Sequence, residues 1–148
     1  MRSKTIVISA LLIALIMTAG CVFGEKYPLP DDPVKAAEEY YTFPDGRGAA
    51  MRTINGREYV LYGNLDGTVR AKDTGEVIGY VVREEYPDDL NLRLVKLTAT
   101  DDIIMEKYVN GMMDQPVFYR ALDTIGKDIP VPSFIAPYEE DASFWAGE

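Results

Sequence analysis

Carboxylates are the one reactive group this chain carries in quantity. It has 24 Asp and Glu against 15 Lys and Arg, no histidine and a single cysteine. Two carboxylates across a cleft suffice for glycoside hydrolysis, and calcium asks for six to eight hard oxygens. Asp88, Asp89, Asp101 and Asp102 are the candidate cation ligands, two at each end of one expected strand. Extended chain would hold those pairs roughly 40 Å apart unless it bends. No EF-hand spacing occurs, because in Asp66-Gly67 the glycine follows the acid directly. Solvated surface acids with loosely held counterions are the plainer expectation.

The missing groups narrow the chemistry further. Without histidine, Ser–His–Asp and Cys–His mechanisms are excluded, as are zinc sites built from Cys and His. Past residue 21 the only serines are Ser133 and Ser143, and neither sits in a strand-to-helix elbow. Gly46-Arg47-Gly48 is too short to cradle a phosphate. The expectation is a protein that is not an enzyme and needs no cofactor.

Aromatic residues are the second resource. There are ten tyrosines; in a β-rich domain most should pack across strands with their hydroxyls at the rim. Tyr138, Phe144 and Trp145 fall in a C-terminal stretch read as irregular chain wrapped on the domain, and they form the candidate binding surface. For Trp145 alone the plainer expectation is that it pins the tail to the core.

The single cysteine, Cys21, stands at the end of an export segment. Arg2 and Lys4 supply a positive start, residues 6–17 an apolar run, and Thr18-Ala19-Gly20 small residues. The run is shorter than the roughly 20 residues a bilayer crossing needs. Ala19-Gly20-Cys21 resembles a lipoprotein processing box, which implies a diacylated cysteine as lipid attachment; Thr18 departs from the aliphatic usual there. The alternatives are ordinary secretion with cleavage after Gly24 and a retained N-terminal anchor. The expected organisation is a signal peptide over 1–20, a tether over 21–31 and one extracytoplasmic domain over 32–148. Without Arg2 and Lys4, 13 basic residues face 24 acidic ones, a net charge of −11. Nucleic acid is therefore not an expected partner, and the membrane is met through the lipid rather than through the acidic domain surface.

Local patterns predict the elements that must position these groups. Asp32 as N-cap and Pro33 as first residue predict a short helix over 32–41, with Val34, Ala37 and Tyr41 on one face. Asn55-Gly56 predicts a tight hairpin between strands 50–54 and 57–62. Turns at 64–67 and 73–75 leave strands over 68–72 and 76–83, with Gly79 marking a bulge, a bend or a close neighbour. Leu90, Leu92 and Leu94 alternate with polar residues, and a phase shift at Val95 suggests a bulge. Residues 101–109 fit a helix or a strand; strand is preferred because 90–98 otherwise lacks a partner. A further strand follows at 116–120. The expected fold class is α+β: a small antiparallel, partly curled or barrel-like sheet with one short N-terminal helix. The function expected is a noncatalytic cell-envelope lipoprotein that binds a protein or cell-wall component. The alternatives are a structural or cation-binding envelope protein and a carboxylate-dependent polysaccharide hydrolase.

Overall fold

Alternation, not helical spacing, governs residues 34–42. In the computed structural model, which describes residues 26–109 and 115–148, these residues form two strands, β1 (Val34–Ala37) and β2 (Glu39–Thr42). Ala36 is buried while Lys35, Ala37 and Tyr40 are exposed, which is the period-two pattern of a pleated strand. The expected N-terminal helix is thus corrected. Two turns of helix would be marginal alone, whereas extended backbone here pairs with two neighbours. Among the described residues the α-helix instead lies at the C-terminus, α1 (Ala142–Ala146), preceded by a single 3-10 turn over Glu139–Asp141.

The remaining strands are β3 (Gly48–Ile54), β4 (Arg57–Leu65), β5 (Thr74–Val82), β6 (Leu92–Leu97), β7 (Ile103–Tyr108), β8 (Val117–Ala121) and β9 (Ile135–Pro137). Their order is β1-β5-β6-β7-β8-β4-β3-β2, with β9 added alongside β4. β1 and β2 end this order on opposite sides, yet only Glu38 separates them in the chain. One residue spans under 4 Å, so the sheet must curl until its two edges meet. The expected curl is present, but the sheet is mixed: β1 runs parallel to β5 while the other pairs are antiparallel. Parallel neighbours need a connection of a dozen or more residues, and β2, β3, β4 and their loops supply it.

Asn55 (φ 50°) and Gly56 (φ 82°) make the two-residue turn, with Ile54 opposite Arg57. Residues 68–72, expected as a strand, are instead irregular and enter a 3-10 turn at Ala71–Asp73. There the Asp73 carboxylate accepts the Arg70 amide at 2.8 Å, and Thr98 Oγ1 donates to the Lys72 carbonyl at 2.8 Å. Residues 103–108 are strand, preceded by a turn in which the Asp102 amide donates to Thr100 Oγ1. The two-sided apolar character of β6 reflects cover on both faces rather than a bulge, since Leu94 and Val95 are both fully buried and the β6–β7 register is continuous. The register shifts fall on β5 at its pairing with β6, around Val77 and Gly79.

Two clusters fill the domain, one on each face. The first joins Ala36, Ile54, Val81, Leu94, Ile104 and Tyr119, all on sheet strands, so only the curl buries them. Inside that curl lies an ion pair. Arg52 Nε donates to Glu106 Oε2 at 2.8 Å, Nη2 reaches Oε1 at 3.3 Å, and the Tyr119 hydroxyl donates to Oε1 at 3.2 Å. The second cluster lies on the other face, where Val60, Val95, Met105 and Phe118 are covered by Ile135 and Trp145 from the C-terminal chain.

The stability profile against pH follows from these contacts. The Arg57 guanidinium holds the Asp123 carboxyl below the usual range, and the Asn91 amide with Arg83 does the same for Asp89. A depressed carboxyl stabilises the fold above its unfolded pKa and loses that contribution as pH falls through its folded pKa. Burial pushes the Tyr119 hydroxyl far above its ordinary value; that contribution is complete below the unfolded tyrosine pKa of about 10 and is lost above it. With no histidine in the chain, urea midpoints are expected to be flat from about pH 5 to about pH 9 and to fall on either side.

Candidate binding site

The C-terminal chain builds a groove of about 500 Å³ on the outer face of the sheet. Its floor comes from Tyr62 on β4 and Arg120 on β8, and its wall from Trp145 on α1. Tyr138, Lys127 and Glu139 line it as well.

The groove is assembled through Arg120. This side chain is inward on an otherwise apolar strand and is 6% exposed. Its Nε donates to Thr124 Oγ1 at 2.9 Å, and Nη2 donates to the carbonyls of Thr124 and Lys127, each at 3.0 Å. The guanidinium lies 4.8 Å from the Trp145 ring and 5.4 Å from the Tyr62 ring, within the range of cation–π attraction. One arginine therefore fixes the 122–127 loop, α1 and β4 together. The Gly126 amide donates to the Trp145 carbonyl at 2.9 Å, and the Tyr138 amide to the Tyr62 carbonyl at 3.0 Å. The Tyr138 hydroxyl, bonded to Asn64 Oδ1 at 2.8 Å, is pushed up by burial and by the nearby Glu140 and Asp141.

Of the three aromatic candidates, Tyr138 and Trp145 line the groove and Phe144 does not. Trp145 is 5% exposed, belongs to the second cluster and packs edge-on against Tyr62 at 5.5 Å; its Nε1 is buried without a hydrogen bond to a described residue. It pins the tail and forms the groove wall at once. Tyr138 is half-buried on the same groove. Phe144 meets Trp145 edge-on at 5.0 Å but does not line the groove; it packs on Phe43 at 4.8 Å, in a separate hollow beside Arg47. There Arg47 pairs with Asp141 at 2.8 Å and ties the tail to the β2–β3 turn.

The acidic candidates do not converge. Asp88 and Asp89 precede β6 while Asp101 and Asp102 follow it, so the strand keeps them apart. Asp89 is held by Arg83, and Asp102 by Arg57 at 2.7 Å. Among the described residues no group of three or more His, Cys, Asp or Glu is placed to hold a metal. Asp66 and Asp73 share a charged hollow of about 290 Å³, but the Asp73 carboxylate is occupied by the Arg70 amide. A third hollow, of about 350 Å³, opens where Ile54, Tyr59, Ile78 and Ile104 meet at one end of the curl. Its cations are already paired: Arg57 with Asp102 and Asp123, and Lys96 with Glu76 at 2.7 Å. Cys21, the expected lipid-attachment residue, lies outside the described residues. Among those described, no helix is long and apolar enough to cross a membrane.

Arg120 is the site residue that sequence reasoning missed. The available signal was a charge in phase with Phe118 within Val117–Ala121, where an apolar residue belongs on a covered face. No protein-family model, curated protein or solved structure matches this chain.

Proposed function

We propose that this protein is a noncatalytic binding module of the cell envelope, attached by lipid at Cys21 and recognising a wall component or envelope protein. The groove lined by Tyr62, Tyr138 and Trp145 carries the reading. It combines amphipathic aromatic rings with an arginine on a wall built from several elements, the residue types enriched at interface centres. The export segment and Ala19-Gly20-Cys21 support the compartment. A binding role is favoured over hydrolysis because Glu139 is the groove's only carboxylate among the described residues, whereas a glycosidase needs two facing each other.

The protein immobilised as bait on host envelope extract and on purified wall polymer is expected to retain a component at micromolar bait concentration. Retention of nothing would overturn the reading.

A further inference from the structure

We propose that the groove is a carboxylate site whose ligand is a sugar acid, a sugar ring bearing one carboxylate. This rests on the binding-module reading and specifies its ligand.

The argument starts from an imbalance of charge. Arg52, as buried as Arg120, is neutralised by Glu106, and Arg47, Arg57 and Arg83 each pair with an aspartate. Arg120 differs. Its hydrogen bonds go to neutral oxygens, and among the described residues no carboxylate lies at ion-pair distance from it. Nη1 makes no hydrogen bond to a described residue. A buried cation without a counter-anion is unfavourable; carbonyls and ring faces offset only part of that. A ligand carboxylate meeting Arg120 supplies the missing charge in the geometry that guanidinium favours.

The rest of the lining selects what carries the carboxylate. Exposed Lys127 puts a second cation on the groove. Glu139 lies on the same groove, and the chain beyond residue 20 has 13 basic against 24 acidic residues; both disfavour a polyanion and admit one negative charge. Trp145, Tyr62 and Tyr138 offer ring surfaces with polar tips, suited to a body that is apolar on its faces and hydroxylated at its edge. A volume of about 500 Å³ is within the range of small-molecule sites.

Trp145 is the only tryptophan, so the intrinsic fluorescence of the intact protein reports on the groove. Titration with glucuronate should give a saturable change, with glucose and inorganic phosphate each at least about tenfold weaker. Lys127→Ala, at an exposed position, should weaken glucuronate binding several-fold at an unchanged melting temperature, and Arg120→Lys should weaken it about tenfold. Equal response to glucose, equal response to phosphate, no response, or full binding by both variants would each overturn the sugar-acid assignment. If envelope capture persists after such a result, the binding module stands without a carboxylate ligand. If capture is absent as well, both readings fall.

Discussion

Glu106→Gln is expected to destabilise the domain by about 3–5 kcal/mol, because it leaves the Arg52 guanidinium charged and unpaired inside the curl. Arg52 and Glu106 are 5% and 7% exposed, and their contact is two-pronged. The layers above and below offer little help: Ile54 and Ile104 lie on one side, Leu94 and Ala36 nearby, and among the described residues only the Tyr119 hydroxyl and the Met51 carbonyl add hydrogen bonds. The attraction that holds the pair also repays the cost of drying both groups, so the intact pair adds little net stability. Removing both charges should therefore be far milder than removing one. Arg52→Met with Glu106→Leu is expected to lie near the wild type or above it in urea unfolding. A single-variant loss under about 1 kcal/mol would mean that water reaches the pair and that the sheet does not close over it.

Gly79→Val should cost about 3 kcal/mol or more, at the upper end of what overpacking does. A Cβ at residue 79 would overlap the carbonyl of Val34, which lies directly opposite it in the parallel β1–β5 pairing. The obstacle is backbone, so no rotamer change relieves it. Repulsion would separate β1 from β5, and β1 is the edge through which the curl closes. Hydrogen exchange should show the loss first in the amides of residues 34–37. Gly79→Ala meets the same carbonyl and should lose protection at the same amides. Full protection of β1 in either variant would contradict the parallel pairing.

What the sequence disclosed follows the range of each signal. Asn55-Gly56 was legible because a type I′ turn is chosen by two adjacent residues with positive φ. Gly79 was legible as a bulge, a bend or a close approach because the residues beside it are good strand formers, and the structure shows both a register shift and a close approach there. Residues 32–41 misled for a related reason. Asp32-Pro33 is a local start signal for a helix, but the partner of β1, β5, lies far along the chain, and β2 becomes a strand only by pairing back with β3 across the 43–47 turn. The parallel pairing was missed on the same ground. The Arg52–Glu106 pair spans 54 residues and leaves no local trace. Aromatic Tyr138 and Trp145 were visible as a candidate surface, but the groove they line depends on Arg120, whose partners become apparent only once β8 and the tail are packed.

The groove as the binding surface is tested by repeating the envelope capture with Tyr138→Ala beside the wild type. Tyr138 is half-buried and, among the described residues, its hydroxyl bonds only Asn64, so the change should cost about 1 kcal/mol of stability or less while removing a ring from the groove. Retention is expected to fall at least about fivefold, with Tyr86→Ala, at an exposed ring on the 83–91 loop, leaving it intact. Retention unchanged in Tyr138→Ala but lost in Tyr86→Ala would place the binding surface elsewhere and contradict the function proposed for the groove.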